Sequence, residues 1–313
     1  MEWVMLRRFL AGMALATLAL DCSTAALAQE RPSVAEPAEA RAIPPLADYP
    51  KREERPLPQP PYPPTFASVE MRRYADIREA GQGAAAAGDD FYAVVNTRLG
   101  RYAKADGAKL AEWAGDPTLF VHLNACLVHE ARLMCAHSNF PHVPMVSSIE
   151  VFDPETLEHL DSVSLGHQIG SLTWIDFKDG AWWALFAHYD GRGGEDGRDH
   201  RHTTLVRFDD QWRRTESWVF PPSVLERFAP TSSSGGGWGD DGLLYVSGHD
   251  APELYVLALP EAGSVLRHVA TVNVGIEGQG WAWDRTADRE IWGISRQGRS
   301  VVQIHVPPLP LQP

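Results

Sequence analysis

The chain has 313 residues, 44% of them hydrophobic and 22% charged, and carries a formal net charge of −13 at pH 7. Phosphate backbones and anionic membrane surfaces are held by clustered Lys and Arg, so this balance argues against nucleic acid and membrane surfaces as partners. Beyond one N-terminal apolar run, no stretch approaches the 20 or so apolar residues that a membrane span takes (about 30 Å of hydrocarbon).

That first run has the pattern of a secretory signal. Arg7 and Arg8 precede an apolar segment from Phe9 to Leu20, and Ala26-Leu27-Ala28 supplies an A-x-A cleavage site. Residues 1–28 are therefore expected to be removed on export, leaving Gln29 first in a periplasmic or secreted protein. Cys22 raises a lipoprotein alternative, which the charged Asp21 before it disfavours. Residues 29–64 are dense in proline, including Pro56, Pro58, Pro60, Pro61, Pro63 and Pro64, among charged and small residues. Such a segment buries too little apolar surface to fold and is biased to polyproline II, which predicts a tether. Residues 65–313 remain as a single all-β domain, expected to be monomeric.

Within that domain a unit recurs: a Gly- or polar-rich approach, a short strand, a charged turn, then an aromatic-rich strand. Its copies begin near Gln82, Asn124, Ser171, Gly237 and Gln279, at steps of 42, 47, 66 and 42 residues. A period of roughly 40 to 50 residues is that of a β-propeller, each unit a four-stranded meander. Five blades is the direct count, with six as the alternative, since the long third step contains both a Gly-rich insertion and the Pro-flanked segment Pro221 to Pro230. The last unit has only three strands before the chain ends in prolines. Residues 66–77, just ahead of the first unit, are expected to complete it and so hide both sheet edges.

Cys126 and Cys135 flank the expected turn at Glu130-Ala131. A two-residue turn sets them directly opposite across adjacent strands. Both a disulfide and two buried thiols fit that placement.

The blade pattern, with Glu277-Gly278-Gln279-Gly280-Trp281 in the last unit, resembles the bacterial exported propellers of the glutamine cyclotransferase-like and quinoprotein-like group. The resemblance implies the fold; it transfers no catalytic residue.

In a propeller the loops entering the inner strands open on the same face as those leaving the second strands. Gln82, His122, Asn124, His167, Gln168, Ser233, Ser234, Glu277 and Gln279 belong to the first set, and Asn96, His137, Asn139, His188, Asp190, His249, Asp250 and Arg296 to the second. Three second strands end in similar words, Ala136-His137-Ser138-Asn139, Ala187-His188-Tyr189-Asp190 and Ser247-Gly248-His249-Asp250. The expectation is a His-rich pocket at the channel mouth that binds a small polar ligand. One form of it places a divalent metal on His137, His188, His249 and Glu277. Another runs acid–base hydrolase or lyase chemistry through His188, His249, Glu277 and Arg296. Two non-catalytic readings stand beside these: histidines that hydrogen-bond neighbouring blades, and a face that docks another exported protein. Trp238 is expected to be the exposed tryptophan, and the others to pack between blades. The loop Asp190 to Asp199 lacks EF-hand spacing and reads as a surface loop, with His200 and His202 placed to reach over the channel.

Overall fold

The computed structural model describes residues 63–167 and 169–310. The segment expected to be a signal peptide, nearly all of that expected to be a tether, and Gln168 lie outside the described residues. Five four-stranded antiparallel sheets follow one another along the chain. Blade 1 is Gly83–Ala87, Asp90–Val95, Arg98–Ala103 and Lys109–Ala114; blade 2 is His122–His129, Arg132–Ser138, Val146–Phe152 and His159–His167. Blade 3 is Ser171–Lys178, Ala181–Ala187, Thr204–Phe208 and Arg214–Val219. Blade 4 is Gly235–Trp238, Leu244–Ser247, Glu253–Ala258 and Arg267–Asn273. Blade 5 is Ala282–Trp283, Glu290–Ser295 and Ser300–His305, completed by Val69–Tyr74.

Burial follows from position in the blade. A second strand is covered on both faces by neighbouring blades, and Ala181–Ala187 accordingly reads as an unbroken apolar run with every residue buried. The outer strand Arg214–Val219 buries only Trp218. The apolar core lies between the blades, where Trp174, Trp281, Trp292, Phe91 and Phe186 are all fully buried. Association of such faces is driven by removing apolar area from water, at roughly 25 cal/mol per Å².

The ring closes as expected from residues 66–77. Val69 to Tyr74 run antiparallel to Ser300–His305, with Tyr74 opposite Val301. The Tyr74 ring then wedges between blades 5 and 1, 4.6 Å from Phe91 and 5.8 Å from Trp292. A second seam lies at the inner strands. Gly280 donates its amide to the Gln82 carbonyl at 2.8 Å, and Ala84 donates to the Gly280 carbonyl at 3.2 Å. The two Gly-Gln-Gly words therefore meet across the closure.

Thr65–Ala67 adds a fifth, parallel strand to the outer edge of blade 4, with Thr65 opposite Thr271. The long third step is the insertion after Ala187 together with a short helix, Pro222–Phe228, and holds no sixth blade. Cys126 and Cys135 face each other and are joined by a disulfide. Glu130 and Ala131 both take positive φ, 45° and 56°, as a type I′ hairpin turn requires. Among the described residues no helix is long and apolar enough to cross a membrane.

Candidate functional site

At the end of the channel where the inner strands begin, loops from all five blades surround a cavity of about 630 Å³. Blade 1 contributes Gln82 and Asn96; blade 2, His122, Asn124 and Phe140; blade 3, Tyr189, Asp190 and Arg192; blade 4, Ser234 and His249; blade 5, Gln279 and Arg296. The opposite end is crossed by an ion pair. Arg285 reaches over it to both oxygens of Asp176, at 2.9 and 3.1 Å, and to the Trp238 carbonyl at 2.9 Å. Only about 10 Å³ of space is left there. Burial pushes the Asp176 carboxyl up from its ordinary range, while Arg285 and the Trp238 amide pull the other way. The cavity is thus a cup at the end where the inner strands begin.

One hydrogen-bonded chain runs round most of its rim. Asp250 Oδ1 lies 2.6 Å from His249 Nδ1, so that nitrogen carries the proton it donates. His249 Nε2, 3.5 Å from Arg296 NH1, is left as the acceptor. Arg296 in turn donates to the Gly81 carbonyl at 2.7 Å and to Gln82 Oε1 at 3.2 Å. Gln82 Nε2 donates to Asn96 Oδ1 at 3.0 Å, and His122 Nδ1 donates to the same oxygen at 3.0 Å. His122 Nε2 is then unprotonated and faces Asn124 Nδ2 at 3.5 Å. Burial, with His137, Arg296 and Arg192 nearby, brings the His122 pKa down to about 4, so the ring is neutral. Among the described residues, Asn124 Oδ1 is buried without a hydrogen-bond partner.

Two guanidiniums, Arg296 and Arg192, and one carboxylate, Asp190, line the cup, and the carboxylate is bonded to His200. Neither Arg296 nor Arg192 makes a salt bridge among the described residues. Arg192 lies over the Phe140 ring, 5.9 Å from its centroid, and Phe140 packs 4.9 Å from Tyr189 and 5.0 Å from His122. Glu277 sits behind Arg296 rather than in the cup: its two oxygens accept from Ser295 Oγ and the Arg296 amide, both at 3.0 Å.

The histidines of the three similar words do not converge. His137 lies inside its ladder opposite Leu123, one residue before the last pair, His122–Ser138. His188 is one residue past the last pair of blade 3, Ser171–Ala187, and His249 two past that of blade 4, Gly235–Ser247. Side chains alternate between faces along a strand, so each slip turns the ring elsewhere. His137 has both ring nitrogens engaged, accepting from the Val121 amide at 3.0 Å and bonding Ser148 Oγ at 2.8 Å. His188 is buried and bonds the Ile169 carbonyl. The quartet His137, His188, His249 and Glu277 is accordingly not assembled as a metal centre. Among the described residues, the group that brings three such ligand atoms together is Asp190, Asp199 and His200. Hydrogen bonds within the loop already account for it: Asp190 Oδ1 accepts from the His200 amide at 2.9 Å and lies 2.6 Å from His200 Nδ1. His200 therefore meets the rim at Asp190, and His202 lies beside His188.

Of the other sequence-derived candidates, Gln82, Asn96, His122, Asn124, Asp190 and Gln279 line the cup, as do His249, Arg296 and Ser234. Asn139 instead ties its own loop, bonding the Pro144 carbonyl and the Val146 amide, each at 2.9 Å. His167 ends the exposed outer strand of blade 2 opposite Val146, not an inner one. Trp238, expected to be exposed, is 3% exposed and packs against Trp183 near the Arg285–Asp176 pair. Asp250 stands on the rim and holds His249. Phe140, Tyr189 and Arg192 were not anticipated. Tyr189 directly follows His188, and Arg192 lies in the surface loop Asp190 to Asp199.

No family model matches the chain, and no curated protein matches it in sequence. Among solved structures it is similar to the PQQ-bound form of aldose sugar dehydrogenase from Streptomyces coelicolor, at 15% identity over 77% of this chain and 81% of that one, with a TM-score of 0.48. It is also similar to the C-terminal WD40 domain of Sif2, at 11% identity over 70% of this chain and 55% of that one, with a TM-score of 0.32. The five-bladed architecture rests on the sheet topology above.

Proposed function

We propose that the propeller binds a small polyhydroxylated anion, a sugar acid in chemical class, with Arg296 and Arg192 reading the negative charge. The observation that carries this reading is Arg296: a guanidinium lining the cup, oriented by Gly81 and Gln82, with no carboxylate paired to it. A guanidinium pairs with a carboxylate through two parallel hydrogen bonds, which a neutral ligand cannot offer. Around it stand side-chain amides and hydroxyls, Gln82, Asn96, Asn124, Gln279 and Ser234. Amides both donate and accept, which matches ligand hydroxyls that do the same. Phe140 and Tyr189, which also line the cup, supply apolar surface for the carbon side of a ring. Calorimetric titration with a hexuronate tests the reading. Arg296→Gln is expected to weaken binding at least about tenfold, the loss of one charge-assisted pair at roughly 1.5–3 kcal/mol. Equal binding by both proteins, or equal binding of the neutral parent sugar, overturns it.

A second reading, acid–base chemistry on the same ligand, is favoured by one contact. Asp250 fixes the His249 tautomer and leaves Nε2 unprotonated beside the Arg296 guanidinium. A base next to a cation that stabilises developing negative charge is the arrangement a lyase or hydrolase uses. Turnover that survives His249→Gln overturns this second reading. Export belongs to the proposal as well, and an N-terminus at Gln29 in periplasmic or secreted material is its expected mark.

A further inference from the structure

We infer that the binding site continues beyond the cup into a groove across the seam of blades 5 and 1, so that the ligand is an oligomer of acidic sugar units. This rests on the sugar-acid reading of the cup. Arg78, Arg98, Arg296 and Arg299 line one shallow groove of about 540 Å³, together with Ala80, Gly81 and Val95. Arg296 also lines the cup, and Gly81 and Val95 of the groove adjoin Gln82 and Asn96 of the cup in sequence, so the two spaces are neighbours.

Ring closure assembles this cluster from three separate places in the sequence. Arg98 follows the Asn96-Thr97 turn of blade 1, opposite Val95. Arg299 ends the turn of blade 5 that Arg296 begins. Arg78 comes from the link after the closing strand, where the Ile77 amide donates to the Arg299 carbonyl at 2.9 Å.

Among the described residues the guanidiniums of Arg78, Arg98 and Arg299 make no hydrogen bond, and none of the four makes a salt bridge. Elsewhere Arg73, Arg101, Arg227 and Arg289 each hold a carboxylate, while Arg72, Arg132, Arg192, Arg214 and Arg267 make no salt bridge among the described residues. What sets the groove apart is that four such guanidiniums line one space. Glu112 feels Arg78 and Arg98 but is itself bonded to Lys109 at 2.8 Å. A chain with net charge −13 that gathers unpaired guanidiniums along one groove leaves their charge to be met from outside. Rigid planar forks at intervals suit carboxylates at intervals, which a chain of uronate units carries.

The test is calorimetric titration of the whole protein with a hexuronate monomer, its linear tetramer, a neutral tetramer and a sulfated neutral tetramer. The tetrauronate is expected to bind at least tenfold more tightly than the monomer. The double variant Arg98→Gln/Arg299→Gln is expected to erase that gain and leave monomer binding unchanged, which also shows that the variant is folded. Equal affinity for monomer and tetramer, or a gain that survives the double variant, overturns the groove while the cup stands. A sulfated tetramer binding as tightly as the tetrauronate overturns the carboxylate assignment. If the wild type binds neither monomer nor tetrauronate, the cup reading falls and the groove falls with it.

Discussion

The Gly280 amide donates to the Gln82 carbonyl at 2.8 Å, joining two inner strands that lie almost the whole domain apart in sequence. The contact needs backbone against backbone. A Cβ on Gly280 would stand 2.7 Å from the Gln82 carbonyl oxygen and 3.0 Å from Ala125.

Gly280→Ala is therefore expected to destabilise the domain by about 1–3 kcal/mol, the usual cost of forcing atoms into a packed site. Gly191→Ala, where an added Cβ meets nothing within 4 Å, is expected to stay within about 0.5 kcal/mol of the parent. Urea denaturation midpoints of the two variants check the contrast.

The Cys126–Cys135 bond closes a short loop, its ends nine positions apart. On the chain-entropy account such a loop contributes roughly 2–3 kcal/mol. The Cys126→Ala/Cys135→Ala variant is expected to lose about that much in reversible denaturation while binding unchanged, since neither sulfur reaches the cup. A strongly reduced affinity would instead place blade 2 in control of His122 and Asn124.

His122 carries a pH dependence of known sign. Its pKa stands at about 4 in the folded chain, against an ordinary 6.5, chiefly through burial. Between those values the unfolded chain takes up a proton that the folded chain refuses, so stability falls as pH drops through the window. Allowing for the ring's partial contact with water, the loss is on the order of 1–2 kcal/mol. Burial also holds His137, His188 and His268 low, with the same sign. His122→Gln should reduce the slope of stability against pH between 6.5 and 4 without abolishing it.

Arg285→Leu is expected to cost about 3 kcal/mol, because it strips the partner from the buried Asp176 carboxyl. Asp176→Asn should cost less, as the neutral amide still meets Arg285 and requires no buried charge. Thermal unfolding of the two variants gives the comparison.

The fold was legible because a propeller repeats. Gly-rich approaches and aromatic second strands return at a nearly constant step, and the missing strand of blade 5 pointed to the residues ahead of blade 1. Thr65–Ala67 was not legible: a parallel partner some 200 residues away leaves no local mark, and three residues carry no period. The cup was read in outline from inner-strand entries such as Gln82, Asn124 and Gln279. The histidines were misread because the similar words align by letter and not by pairing. His137, His188 and His249 sit at different offsets from the last pair of their strands, and only His249 of the three reaches the cup. Trp238 misled for a related reason. Its glycine-rich approach belongs to a buried inner strand, where small residues admit Trp174 and Trp283 rather than solvent.

The Arg285–Asp176 pair has a kinetic consequence. Where it bars the far end, whatever enters the cup leaves by the same door, and arrival and departure compete for one passage. A long ligand that spans the cup and the arginine groove would pass through that door. Its own release would then gate every subsequent visit, and at high ligand concentration occupancy of the outer groove would slow exchange at the inner cup.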